Sequence, residues 1–170
     1  AHFGKGGGTV IEPMTPAARV PMIPLLVYPH RQLMLDVNAD MVSTKYAVQP
    51  SCMGLFPRYD DLTRMDVGAV FCAHAEDGRL VGLSTVRMDD AQCTVDGFVH
   101  QSFFASWSEL LQAALDWGIG RGASVFAADV AADDEGKRLG FERLGFVTAA
   151  RRPPFVIGDQ PYDALRMTSG

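Results

Sequence analysis

The second half of the chain alternates between the hydrophobic patterns of strands and helices. Side-chain character alternates through residues 93–99, as in a strand whose two faces have different surroundings. A helix at 106–120 follows, whose apolar residues form one buried stripe: Trp107, Leu110, Leu111, Ala114 and Leu115. An apolar strand at 124–130 and a second helix at about 133–144 come next. A strand, a crossover helix and another strand predict a parallel strand pair.

The other strands are predicted by alternation and by the turn residues between them. They are expected at 9–13, 69–75, 80–88, 147–150 and 162–167. Residues 76–78 form a hairpin turn with glycine at the position that favours positive φ. Pro153 and Pro154 are expected to end the strand that begins at 147, because proline cannot donate to a sheet. The sequence therefore predicts three antiparallel strands that lead into the parallel pair.

The helices before residue 69 are harder to predict. Thr15 and Pro16 begin a helix in the preferred way, and later prolines interrupt it. A second helical piece is expected near 30–41, a long loop at 42–58, and a short helix at 60–65.

Composition and charge limit the classes of function. A chain of 170 residues with 48% hydrophobic residues is expected to form one domain, at 9–170, after a flexible glycine-rich leader at 1–8. That leader lacks the order of residues of a phosphate-binding loop. The net charge of -5 gives no reason to expect nucleic acid or an anionic membrane as a partner. Three separated cysteines favour a reducing, cytoplasmic compartment, and the isolated histidines predict no metal site.

Three runs in the second half resemble a known family. The runs at 113–118, 122–123 and 141–146, the last reading Phe-Glu-Arg-Leu-Gly-Phe, look like the core of the GNAT superfamily of acyl-CoA-dependent N-acyltransferases. The resemblance covers roughly 69–150, with an echo at 9–13. It implies an α/β (α+β) fold of GNAT type, with a mixed, mostly antiparallel sheet flanked by helices. It also implies that the start of the helix beside Trp107 faces a cleft between two diverging parallel strands.

The resemblance further implies acetyl-CoA as the cofactor and a site for it. In the family, a glycine-containing loop at the helix start holds the pyrophosphate through backbone N–H groups. That loop falls on 102–107, where neither glycine is present and where Ser106 and Glu109 form a capping-box pattern. The cofactor-binding candidates are the loop residues, two strand amides, the counterpart of the family's Asn, and the nearest cations: Ser102, Phe104, Ala105, Ser106, Trp107, Phe98, Val99, Asp134, Lys137 and Arg138.

The candidate catalytic residues lie on or just after the strand at 93–99. Asp96 and His100 are candidates for the general base that deprotonates an amine. The alternatives are that Asp96 lies in an exposed position near a turn and that His100 is a polar loop residue. A strand bulge at Gly97 would let a backbone N–H of Phe98 or Val99 polarise a thioester. Phe141 stands where family members often have a Tyr that acts as the acid, and phenylalanine has no proton to give.

Two functions follow from these observations. One is an N-acetyltransferase that transfers an acyl group from acyl-CoA to an amine of a small molecule or protein. The other is a catalytically inactive structural or accessory protein with protein assembly partners. The proline-broken region after the first strand resembles GNAT-like proteins of bacteriophages, which makes a virion component one form of the second function. Fold alone does not decide between them.

Overall fold

Seven strands form one mixed sheet at the centre of the protein. The computed structural model describes residues 2–27, 34–43, 48–49 and 52–170. In spatial order the strands are β1 (Thr9–Pro13), β5 (Gly68–Ala75), β6 (Leu80–Asp89), β7 (Gln92–Val99), β8 (Val125–Ala131), β10 (Gln160–Ser169) and β9 (Val147–Ile157). A small antiparallel sheet contains β2 (Met34–Asp36), β3 (Met41–Ser43) and β4 (Val48–Gln49).

The only parallel neighbours in the seven-stranded sheet, as far as the structure describes it, are β7 and β8. They pair at three positions, Gln92 with Val125, Cys93 with Phe126, and Thr94 with Ala127. Past Thr94 the register ends, although both strands continue. The antiparallel meander, the parallel pair and the gap between diverging strands are thus confirmed.

Four α-helices accompany the sheet within the described ranges: α1 (Met22–Val27), α2 (Cys52–Arg64), α3 (Trp107–Gly120) and α4 (Glu135–Arg143). The apolar stripe of α3 is buried as its spacing predicts, since each of its five residues is at most 7% exposed. The helix lies close to the sheet at Gly118, where an added Cβ would come within 2.9 Å of Cys93 Sγ. Cys93 therefore marks the face of β7 that α3 covers.

Two of the predictions before residue 69 are wrong within the described residues. The expected helical piece at 30–41 contains β2, a 3₁₀ turn at Val37–Ala39 and the start of β3, while residues 30–33 lie outside the described ranges. The helix expected from Thr15 is broken, as the prolines predict, into a 3₁₀ turn at Pro16–Ala18 and α1 at Met22–Val27. The expected loop at 42–58 contains the end of β3, strand β4 and the start of α2, which begins at Cys52 and continues through Pro57, while residues 44–47 and 50–51 lie outside the described ranges. Burial of the α2 side chains Tyr59 and Leu62 opposes the helix-breaking tendency of the proline.

The last hairpin also extends further than expected. Strand β9 continues through Pro153 and Pro154 to Ile157. It lies at the edge of the sheet, and the register with β10 shifts between Tyr162 and Ala164, opposite the two prolines. Edge strands and bulges are the places where a strand tolerates residues that cannot donate a hydrogen bond.

The N-terminal residues contact the main fold. The Phe3 ring is 3% exposed and stacks on His100, with ring centroids 4.0 Å apart. The predicted mobility of 1–8 stays a prediction, as does the division of the chain into leader and domain. Among the described residues, no helix is long and apolar enough to cross a membrane.

Candidate functional site

The gap between β7 and β8 receives a lysine side chain from α4. Asp134 caps α4 by accepting a hydrogen bond from the Lys137 N–H at 3.0 Å, which fixes Lys137 in the first turn. The Lys137 side chain is only 6% exposed. Its Nζ donates to Asp96 Oδ1 of β7 and, at 3.1 Å, to the carbonyl oxygen of Leu35 in β2. One side chain therefore connects α4, β7 and β2.

The path of this side chain runs through the sheet rather than over it. Helix α4 packs against the start of α3, where the rings of Phe141 and Trp107 meet edge to face with centroids 5.9 Å apart. Cys93 faces α3, and side chains alternate along a strand, so Asp96 points to the opposite face. To reach Asp96 from the α3 side, the Lys137 side chain must pass between the diverging strands.

Asp96 is held in place by backbone groups as well as by lysine. Its carboxylate is fully buried and accepts hydrogen bonds from the N–H of Val37 and of Gly97, each at 2.8 Å. Burial raises the pKa of Asp96, and the charge and hydrogen bond of Lys137 oppose that rise. The interpretation of Asp96 as an exposed residue near a turn is therefore wrong.

A second buried carboxylate lies beside this ion pair. Asp36 Oδ1 accepts hydrogen bonds from Thr85 Oγ1 at 2.8 Å and from the N–H of Asn38 at 3.1 Å. Asp36 Oδ2 and the Tyr59 hydroxyl are both buried and interact with each other, since Tyr59 lowers the pKa of Asp36 and Asp36 raises the pKa of Tyr59. Burial, reinforced by the negative charge of Asp96, raises the pKa of Asp36 to about 7.

Trp107 fills the space between α3 and α4. The side chain is 1% exposed, and its ring lies so close to Gly140 that an added Cβ there would come within 2.4 Å of Trp107 Cδ1. Phe141, the next residue of α4, is fully buried, and its ring also contacts Trp107. Trp107, which stands at the second glycine position of the family loop, therefore packs against Gly140 of α4.

Three N–H groups at the start of α3 are used within the 3₁₀ helix that precedes it, Gln101–Ser106. The Ser102 N–H donates to His100 Nδ1 at 3.2 Å, the Phe103 N–H to the His100 carbonyl at 2.8 Å, and the Trp107 N–H to the carbonyl of Phe104. A bound anion would compete with these contacts. Phe104 is half-buried and Ala105 exposed, so the loop presents no polar side chain at either position.

The capping box predicted for α3 is wrong. Ser106 makes no side-chain hydrogen bond to the helix, and its Oγ accepts one from Thr9 Oγ1 of β1 at 2.7 Å. Glu109 lies in the first turn of α3, where a carboxylate interacts favourably with the helix dipole. The contact with β1 was not visible in the local sequence because it joins residues 97 positions apart.

The remaining predicted site residues separate into different surroundings. His100 is 8% exposed, its ring stacks on Phe3, and its Nδ1 accepts a hydrogen bond from the Ser102 N–H. Arg138 binds the Ala132 carbonyl at 3.3 Å and lies 3.9 Å from a Glu142 oxygen. The structure thus brings together Asp96, Lys137 and, through the helix cap, Asp134.

The hydrogen-bond pattern of β7 determines where the two predicted amide donors, the N–H groups of Phe98 and Val99, point. The β6–β7 register is continuous, so the predicted bulge at Gly97 is wrong, although Gly97 has a φ of 136°. The His100 N–H donates to Val81 of the segment that contains β6. Because donors alternate along an antiparallel strand, the Phe98 N–H also points to β6, and the Val99 N–H points toward the gap.

Sequence reasoning missed two participants in this site, Asp36 and Tyr59. Asp36 falls in a stretch for which a helix was expected, and Tyr59 lies just before the short helix expected at 60–65. The absence of a metal site was expected, and within the described ranges no group of three or more His, Cys, Asp or Glu residues is arranged to hold a metal ion.

Several solved acetyltransferase structures are similar to this protein. The acetyltransferase of the GNAT family from Streptococcus pneumoniae is 13% identical, with 95% of this chain and 98% of that chain covered and a TM-score of 0.72. Spermidine N-acetyltransferase from Vibrio cholerae, solved in complex with CoA and spermine, is 14% identical, with 95% and 94% covered and a TM-score of 0.69. No protein-family model and no curated protein matches the sequence.

The protein has the GNAT fold. TM-scores of 0.69–0.72 over nearly the whole chain establish this fold, whereas identities of 13–14% do not carry the activity of those proteins over to this one. Acyl-CoA, the cofactor that the family resemblance implies, would need space in the cleft and free N–H groups at the start of α3. The Lys137 side chain occupies the gap, Trp107 fills the space beside α4, and the N–H groups before α3 bind within their own turn. In this arrangement the residues do not fit acyl-CoA.

Proposed function

We propose that the protein is a GNAT-fold structural or accessory protein that does not transfer acyl groups and acts through contacts with other proteins. The observation that carries this proposal is the ion pair of Lys137 and Asp96 inside the gap between β7 and β8. Opening the gap for a thioester would separate two buried charges, which typically costs several kcal/mol. A transferase would meet that cost in every catalytic cycle.

Charge and acid chemistry support the same proposal. The sequence has no Lys or Arg between Arg87 and Arg121, so the loop before α3 and the first turn of that helix supply no cation of their own for a pyrophosphate. The carboxylate of Glu109 lies in the first turn of that helix instead. Phe141 is buried and has no hydroxyl group, so it cannot protonate a departing thiolate.

The last hairpin offers a surface for a protein partner. In β9, the eight residues from 147 to 154 are all exposed, and the strand forms one edge of the sheet. Val147 and Val156 are 63% and 51% exposed. A long edge strand with uncovered faces is a common site of association with another chain.

Titration calorimetry with acetyl-CoA tests the proposal. We expect no saturable heat with the wild-type protein at millimolar acetyl-CoA, because the ligand would have to displace Lys137. Lys5→Ala, which removes an exposed amine, is the matched control and is expected to behave like wild type. Saturable binding to wild type with one site per chain would overturn the proposal.

A second candidate, an acyl-CoA-dependent N-acyltransferase, is favoured by the divergence of β7 and β8 and by the Val99 N–H that points toward the gap. In that function Asp96 would be the base for an amine acceptor after Lys137 had left it. The test is release of coenzyme A from acetyl-CoA in the presence of small primary amines. Release by wild type that is lost in Asp96→Asn would favour the transferase, and no release above the uncatalysed rate would exclude it for those amines.

A further inference from the structure

The surroundings of the Lys137 ammonium group match the requirements of a primary amine. A protonated amine of this kind has three N–H donors and no acceptor. Two donors are directed at oxygen atoms, Asp96 Oδ1 and the Leu35 carbonyl. Nζ also lies 5.6 Å from the centre of the Trp107 ring, within the range of a cation–π interaction. A carboxylate, a carbonyl and an aromatic face therefore surround one cation.

These groups are held by the fold rather than by the lysine. The N–H groups of Val37 and Gly97 orient the Asp96 carboxylate. Leu35 is paired with Val42 in the small sheet, which fixes the position of its carbonyl group. Trp107 is fixed by close contact with Gly140. Preorganised groups of this kind keep their geometry when a ligand is exchanged.

We propose that Asp96, the Leu35 carbonyl and Trp107 form a binding site for an unbranched primary alkylammonium group, and that Lys137 occupies it as a tethered ligand. The two oxygen acceptors require an ammonium with free N–H groups, so a quaternary ammonium lacks the needed donors. Asp36 is buried nearby, and above pH 7, where it is ionised, its carboxylate adds negative charge. The site is independent of acyl-CoA and goes beyond the proposed function, because it specifies the class of ligand that the gap accepts.

Removal of the tether gives a direct test. Lys137→Ala deletes the three outer methylene groups and the ammonium, which together correspond to n-propylammonium. We expect n-propylammonium chloride to raise the melting temperature of Lys137→Ala in a saturable manner. At a concentration ten times its dissociation constant, the unfolding equilibrium constant should fall about elevenfold. Wild type, with its site filled, should respond no more than to sodium chloride at equal ionic strength.

Two comparisons separate this site from general effects of the salt. Tetramethylammonium chloride and n-propanol should not stabilise Lys137→Ala, because one lacks N–H donors and the other lacks charge. Lys137→Ala combined with Asp96→Asn should lose the response to n-propylammonium. Equal stabilisation by all three solutes, or an unchanged response without the Asp96 carboxylate, would overturn the proposal.

If Lys137→Ala does not fold on its own, refolding provides the measurement. The proposal then requires that n-propylammonium restores the circular dichroism of the folded state, whereas tetramethylammonium does not. Failure of n-propylammonium to restore it would overturn the proposal. The calorimetric result with acetyl-CoA has no bearing on this outcome, so the two proposals can fail separately.

Discussion

Asp36 is predicted to make the stability of the protein depend on pH between about 4 and 7. The carboxyl group is fully buried next to Asp96, Lys137 and Tyr59, and its pKa is raised from an ordinary value of 3.8 to about 7. The folded state therefore binds a proton that the unfolded state has already released in this pH range. The resulting stabilisation is complete below pH 3.8 and is lost as the pH rises to about 7.

The size of the effect follows from the difference between the two pKa values. A rise from 3.8 to about 7, at ~1.4 kcal/mol for each tenfold change in proton affinity, corresponds to about 4 kcal/mol. Asp36→Asn removes the ionisation and retains an oxygen that can accept from Thr85 and from the N–H of Asn38. The variant should therefore lack this contribution to the pH dependence.

Urea denaturation of both proteins at several pH values from 4 to 8 measures the effect. The difference in unfolding free energy between wild type and Asp36→Asn should change by about 4 kcal/mol across this range, with wild type losing stability relative to the variant as the pH rises. Ionisations that Asp36 does not influence cancel in this difference. Parallel pH profiles would refute the argument, because they would show that Asp36 has similar proton affinity in the folded and unfolded states.

Three further predictions concern packing and the buried charges. Lys137→Met should cost about 3–5 kcal/mol in urea denaturation, whereas Lys137→Met with Asp96→Leu should cost much less, because neither charge then stays buried alone; equal costs would contradict this. Gly140→Ala should cost about 1–3 kcal/mol through its clash with the indole ring, while Gly120→Ala, with open space around its Cβ position, should be neutral or slightly stabilising; similar melting temperatures for both variants would argue against the close contact. Phe3→Ala should speed tryptic cleavage near the N-terminus, and an unchanged rate would show that the buried ring does not hold this segment.

The main sheet and α3 were predictable because local patterns determine them. The alternation of β7 and the stripe of α3 follow from periodicities of two and about 3.6 residues. Helix α2 was not, since Pro57 is a local signal for a break and its compensation comes from tertiary burial. Strand β9 crosses two prolines for a related reason: its position at the edge of the sheet is a property of the whole fold.

The site was predictable in its residues and not in its contacts. Asp96 and Lys137 were both candidates, but for different roles, and they are 41 positions apart in the chain. The packing of Trp107 on Gly140 likewise brings together α3 and α4, which β8 separates in the sequence. Contacts between residues this far apart can be inferred only from the topology. The sequence therefore showed that Trp107 stands at a glycine position of the family loop, but not that it packs against Gly140.

The short pairing between β7 and β8 has a mechanical consequence for the whole protein. The sheet has two parts, one of four strands that ends at β7 and one of three strands that begins at β8, and three residue pairs join them. This is the smallest number of pairs between any two neighbouring strands of the seven-stranded sheet. The side chain of Lys137 adds an ion pair with Asp96 of β7 at this junction. Force that separates these two parts of the sheet would act on three backbone pairs and on the buried ion pair of Lys137 and Asp96.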